Sequence, residues 1–138
     1  MDIKFSKDAT HKQFLDDGLD NYARPMNDHL LHDKNEQFGF YVWDGDKLLG
    51  GVCGKIDMGN WTFVDFLYLD PACRGRDLGT KLMAEVEKFA RQNDCLGVHL
   101  YTWSFEAPEF YKKMGYSVFG ELHDHPKGAS RIFLKKQF

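Results

Sequence analysis

The stretch WTFVDFLYLDPACRGRDLGTKLMAEVEKFARQNDCLGVHLYTW, residues 61–103, decides the fold. Its first nine residues, Trp61–Leu69, are nearly all apolar or aromatic, which reads as a strand, and Asp70-Pro71 stops it. A short basic, glycine-containing loop follows. Leu78, Leu82, Met83, Val86, Phe89 and Ala90 then recur at a 3.6-residue period, which predicts an amphipathic helix over 78–93. Gly97–Trp103 reads as another strand. A strand, a crossover helix and a strand in one sheet form a right-handed unit, so strands 61–69 and 97–103 are expected to be parallel.

Working outward, Phe38–Trp43 and Lys47–Ile56 are strands joined at the tight-turn signal Asp44-Gly45, and Gly59-Asn60 marks the turn into strand 61–69. These three strands predict an antiparallel meander. Upstream, residues 2–7 alternate like a short strand. Phe14, Leu15, Leu19 and Tyr22 give residues 9–22 a helical stripe, and Pro25 ends that helix or opens a second over roughly 25–33. Downstream, Ala107–Met114 reads as a short helix stopped by Gly115. Tyr116–His123 and Ser130–Lys136 are two further strands, joined by a loop with Pro126 and Gly128. The order β-α-α-β-β-β-α-β-α-β-β describes a single α+β domain over 1–138, with a mixed, largely antiparallel sheet.

The bulk properties fit. The chain has 138 residues, enough for one sizeable core, with 43% hydrophobic, 28% charged and 15% aromatic residues. A formal net charge of −3 argues against a nucleic-acid binder that works through a broad basic surface. No apolar run approaches the ~18 residues of a membrane span, and the N-terminus lacks the apolar core of a signal peptide. Cys53, Cys73 and Cys95 are odd in number and scattered, which suggests neither disulfides nor zinc. The simplest expectation is a soluble protein of the reducing cytoplasm.

The loop Cys73-Arg74-Gly75-Arg76-Asp77-Leu78-Gly79-Thr80 joins strand to helix. A helix N-terminus carries free N–H groups and partial positive charge, and so attracts anions. Gly75 and Gly79 permit close backbone approach, and Arg74 and Arg76 add charge suited to phosphate. These residues describe a pyrophosphate cradle; taken alone they describe a solvated turn with two surface arginines equally well. The spacing is neither GxxxxGK[ST] nor GxGxxG.

Set in its surroundings, the loop resembles the acyl-CoA loop of the GNAT N-acetyltransferase superfamily, Arg/Gln-x-x-Gly-x-Gly/Ala, here Arg74-x-x-Asp77-x-Gly79. The element order is similar along essentially the whole chain. Phe66–Asp70 before the loop and Phe110–Tyr116 after it also fit. Ser104-Phe105-Glu106-Ala107 and Pro126-Lys127-Gly128 resemble small bacterial members of uncertain substrate. The resemblance implies an acetyl-CoA-dependent N-acetyltransferase that acts directly on a primary amine of a small molecule or peptide. A catalytically weak acyl-CoA-binding sensor is the second reading. Homodimers are common in the family. Asp77 departs from the pattern, which has glycine there. Asp tolerates positive φ better than most residues, but its carboxylate would lie near the pyrophosphate.

The resemblance places thioester and pantetheine contacts at the backbone of Leu67, Tyr68 and Leu69, on a strand that bulges and splays from its parallel partner. It makes Tyr111, four residues before Gly115, the acid that protonates the leaving thiolate; a phenol with an ordinary pKa near 10 can do so. Trp103 and Phe105 either flank the pantetheine arm or pack in the core. Asp65 is the only charge in 61–69. A buried carboxylate is costly unless paired or used, so it is the candidate base, on the face shared by alternation with Phe63, Leu67 and Leu69. His99 is a lesser candidate. Tyr22, Asn27, Asp28, Asp124 and Arg131 fall in segments that line the acceptor side in this family. His29, His32 and His123-Asp124-His125 carry no supporting ligand pattern, so no metal is expected. Cys73 is expected to be a bystander, since direct transfer needs no thiol.

Overall fold

The apolar runs pair into one six-stranded sheet in the order β1-β2-β3-β4-β6-β5. The strands of this computed structural model are β1 (Gln37–Asp44), β2 (Lys47–Asp57), β3 (Trp61–Leu69), β4 (Gly97–Trp103), β5 (Ser117–His123) and β6 (Ser130–Gln137). The helices are α1 (Ala9–Asn27), α2 (Leu78–Gln92) and α3 (Pro108–Lys113), with a 3₁₀ turn at Pro71–Cys73. The structure describes residues 1–27, 36–58 and 60–138. The turn residue Gly59, the histidines at 29 and 32, Asp28 and the rest of the expected second helix lie outside them.

The chain divides into two units, Met1–His32 and Asp33–Phe138. In the first, α1 begins where the Asp8 carboxylate accepts hydrogen bonds from the Thr10 N–H at 2.9 Å and hydroxyl at 2.7 Å; these bonds lower its pKa. The helix carries Phe14, Leu15, Leu19, Tyr22 and Met26 along one stripe. It continues through Pro25, which falls in its last turn and there forfeits a single backbone hydrogen bond. The strand expected at 2–7 does not form. Alternation alone makes no strand without a neighbour to satisfy the backbone.

The second unit holds the sheet and its core. Inward residues of β2 (Val52, Ile56), β3 (Thr62, Val64), β4 (Val98, Leu100) and β6 (Ile132, Leu134) pack on Leu82, Met83, Val86 and Ala90 of α2. These are residues of the stripe read from the sequence, and burying each large side chain contributes about 1.5–3 kcal/mol. Phe89 adds an aromatic contact to Phe38, with centroids 5.0 Å apart. Asp94, at φ +57, ends α2, with the Cys95 N–H donating to Ala90 O at 2.9 Å. Gly115, at φ +93, ends α3 in the same way: its N–H donates to Lys112 O, and the Tyr116 N–H donates to Tyr111 O at 3.0 Å.

Two irregularities of β3 shape the site. It pairs with β4 in parallel only at Trp61↔Gly97, Thr62↔Val98 and Phe63↔His99, so past Phe63 the two strands part. Against β2, Val64 sits opposite Gly54 and Phe66 opposite Cys53, which leaves Asp65 as the extra residue of a β-bulge.

Candidate active site

The opening between β3 and β4 is a cleft of about 220 Å³. Its walls are Val64–Tyr68 of β3, Leu100–Trp103 of β4, Glu106 and Tyr111. Strands that part leave backbone groups without ladder partners, so this wall of β3 offers N–H and C=O groups to a ligand. Of the residues singled out in the sequence, Asp65, Leu67, Tyr68, Trp103 and Tyr111 come together here.

Tyr111 is buried, with its ring edge-on to Phe110 at 5.1 Å and to Tyr116 at 5.9 Å. Burial pushes its phenol pKa up to about 12, and the negative charge of Glu106 adds to the shift. The phenol therefore stays protonated as a donor across the neutral range. Glu106 was not among the expected site residues. Its carboxylate accepts from the Thr102 hydroxyl at 3.2 Å, and that hydroxyl accepts from the Ala107 N–H at 3.4 Å. The signal in the sequence was its position, four residues after a strand threonine and just before the tyrosine helix.

Asp65 departs from its expected setting. The bulge breaks the alternation: Leu67 and Leu69 pack toward the core as Val64 does, whereas Phe63 stacks near His99 and Tyr101 on the other face. Asp65 is exposed at the cleft rather than buried among apolar neighbours, so the argument from desolvation does not apply to it. His99 faces away from α2, half-buried, 3.3 Å from the Asp57 carboxylate. Its burial lowers its pKa and Asp57 partly opposes that. It lines a separate hollow with Trp61, Met58, Phe119 and Lys135 and takes no part in the cleft.

Along β3 beyond Tyr68 lies a second hollow, of about 270 Å³, lined by Leu69, Cys73, Arg74, Gly75, Asp77–Thr80 and Phe110. Asp77 occupies the N-cap of α2 at φ +56, the left-handed conformation that its place in the glycine pattern requires. Its side chain makes no capping hydrogen bond, so the N–H groups of Leu78, Gly79 and Thr80 stay available to an anion. A Cβ on Gly79 would meet Phe110 Cζ at 3.2 Å, so glycine here keeps the ring seated against the helix start. Arg74 turns back, its Nε donating to Leu69 O at 3.1 Å and tying the loop to the end of β3. Arg76 is exposed. Cys73 is buried, with its thiol donating to Asp70 O at 3.1 Å, away from any reacting centre. Unpaired N–H groups at a helix start, positive charge and a glycine-lined approach fit a diphosphate, and the adjoining cleft fits a narrow arm.

Trp103 stacks on Phe105, with rings 6.4 Å apart and 11° from parallel. Asp124, at φ +57, accepts from the Gly128 N–H at 3.0 Å in the β5–β6 turn, and Arg131 lies over the Tyr101 ring. Tyr22 and Asn27 belong to α1 in the other unit. No helix of the described residues is long and apolar enough to cross a membrane.

Comparison with known proteins agrees with this geometry. The acetyltransferase (GNAT) family model matches residues 6–116. A blasticidin-S acetyltransferase of Streptomyces morookaense is 37% identical over 92 residues, which cover 66% of this chain and 67% of that one. The crystal structure of an acetyltransferase from Bacillus cereus superposes with a TM-score of 0.86 at 29% identity, over 100% of this chain and 98% of that one. An aminoglycoside 6'-N-acetyltransferase, solved in complex with coenzyme A, shares the fold with a TM-score of 0.67 at 18% identity, over 98% and 97% of the two chains. With a glycine-lined helix start beside a splayed, bulged strand, and sequence relatives that are acetyltransferases, the chain belongs to the GNAT family and is an acetyl-CoA-dependent acetyltransferase.

Proposed function

We propose that this chain moves the acetyl group of acetyl-CoA directly to a primary amine of a small molecule or peptide, through a ternary complex. The observation that carries the reading is the position of the Tyr111 phenol on the β3–β4 cleft, which adjoins the open N-terminus of α2. The N–H groups of Leu78, Gly79 and Thr80 hold the diphosphate, and Arg76 adds charge from solvent. The free edge of β3 at Leu67, Tyr68 and Leu69 pairs with the pantetheine amides and orients the thioester carbonyl. Trp103 covers the arm from β4. The relative that acts on blasticidin-S supports a small-molecule amine as acceptor.

In this scheme the amine nitrogen bonds to the thioester carbonyl carbon, and the C–S bond breaks as the tetrahedral centre collapses. The sulfur leaves with the bonding electron pair and takes a proton from Tyr111, which is reprotonated from water. The proton lost by the amine passes to a cleft carboxylate, Asp65 or Glu106, directly or through water. Release of free thiol from acetyl-CoA over a panel of amines tests the proposal. The expected result is amine-dependent thiol release matched by acetylated amine. Binding of acetyl-CoA with no amine-dependent release across the panel would instead favour the sensor reading.

A further inference from the structure

On the sheet face away from α2, β4 and β6 set Trp103 opposite Arg131 and Tyr101 opposite Phe133. The Arg131 guanidinium carbon lies 3.6 Å from the centroid of the Tyr101 ring and 5.4 Å from those of Trp103 and Phe133. Its Nε is buried and has no hydrogen-bond partner among the described residues. Acids of the flanking segments have other neighbours: Glu106 accepts from the Thr102 hydroxyl at 3.2 Å, Glu109 pairs with Lys112 at 3.0 Å, Glu121 lies 3.7 Å from His123, and Asp124 accepts from the Gly128 N–H at 3.0 Å. Three aromatic rings thus strip water from a positive charge that pairs with no described acid. Ring contacts attract a cation, but they do not replace the anion that a partly buried guanidinium calls for.

The cleft connects this group to the proposed chemistry. Leu100, Thr102 and Tyr111 line it from the core side, and Tyr101 and Trp103 line it from the outer side, so it passes through the sheet between β3 and β4. The two outer rings that bound its mouth are two of the three that hold Arg131. His125 stands edge-on to Trp103 at 5.5 Å on the same side. Resting on the acetyl-transfer reading above, we infer that Arg131 is an acceptor-binding residue that pairs with an anionic group, carboxylate or phosphate, carried by the acceptor amine. The guanidinium fixes the anion at the outer mouth, the aromatic wall packs the carbon skeleton, and the amine points into the cleft toward the thioester.

The test compares matched acceptors by thiol release: lysine against lysinamide, and phosphoethanolamine against ethanolamine. The anionic member of at least one pair is expected to show kcat/KM about tenfold above its neutral partner, as for a hydrogen-bonded charge pair. Arg131→Gln should bring that ratio to within twofold of one, and Arg131→Lys should restore part of it. Acetyl-CoA affinity by calorimetry should be unchanged in both variants, which also reports that they fold. Equal use of both members in both pairs, or a preference that survives Arg131→Gln, overturns the inference. If acetyl-CoA binds but none of these amines is turned over, it is the transfer reading that has failed for them. The Arg131 Nε–H resonance, assigned by its loss in Arg131→Lys, then decides the site by titration with lysine and phosphoethanolamine and their neutral partners. A shift with an anionic member alone supports the inference, and no such shift overturns it.

Discussion

Replacing Asp77 with glycine isolates the one residue that departs from the family's loop pattern. Asp77 already holds φ +56 at the α2 N-cap, so glycine adopts the same backbone without rearrangement. What changes is the charge. A diphosphate on the N–H groups of Leu78–Thr80 places two negative charges on the order of 6 Å from the exposed Asp77 carboxylate. In water-like dielectric each such pair costs about 0.7 kcal/mol. Screening with a Debye length of about 8 Å roughly halves the sum, to about 0.7 kcal/mol, so Asp77→Gly should tighten acetyl-CoA binding about threefold, and more at low salt. Asp77→Asn keeps the shape and the tolerance of positive φ, and should give most of the same gain. Isothermal calorimetry of both variants in about 0.05 M and 1 M salt is the assay, because the gain should vanish as the Debye length shrinks to about 3 Å. Unchanged or weaker affinity in the glycine variant, or a gain insensitive to salt, would refute the electrostatic reasoning.

Three further outcomes follow from the same geometry. Tyr111→Phe removes only the phenol oxygen from the cleft and should cut kcat by about 10²-fold with acetyl-CoA affinity nearly unchanged; full activity would remove the phenol from the mechanism. The phenol pKa rises from an unfolded value near 10 to about 12 in the fold, so its stabilising contribution is complete below about pH 10 and is lost as pH climbs toward 12. Melting curves from pH 8 to 12 should therefore fall less steeply in Tyr111→Phe than in the parent, and parallel curves would contradict this. Gly54 lies opposite the bulge, and a Cβ there would sit 2.0 Å from Phe63 O, so Gly54→Ala should cost about 3 kcal/mol or more in denaturant unfolding. A loss under 1 kcal/mol would mean that the bulge adjusts freely.

Most of the fold is legible in the sequence because its periodicities and turn signals are strong and local. The α2 stripe, the paired β1–β2 hairpin and the stop at Gly115 are each written in neighbouring residues. Two of the differences arise because alternation along a strand says nothing about its partners. Residues 2–7 alternate but form no strand. Counting in twos puts Asp65 on the face of Phe63, Leu67 and Leu69, yet the extra residue at the bulge shifts the count from that point on. The bulge depends on Gly54 across the ladder, which no pattern within β3 reveals. Glu106 is not legible in the sequence because its hydrogen bond to Thr102 and the effect of its charge on Tyr111 arise only from the turn after β4. The cradle at Arg74–Thr80 is ambiguous by itself, and the uncapped Asp77 N-cap and the adjoining cleft are the observations that favour it over a solvated turn.

A crystal structure of the protein with coenzyme A bound tests the central claim most directly. The account predicts a diphosphate hydrogen-bonded to the N–H groups of Leu78, Gly79 and Thr80, a pantetheine arm paired to the β3 edge at Leu67–Leu69, and the sulfur within hydrogen-bond reach of the Tyr111 hydroxyl, at about 3.5 Å. A diphosphate bound away from the start of α2, or a sulfur outside the β3–β4 cleft with Tyr111 beyond reach, would contradict it.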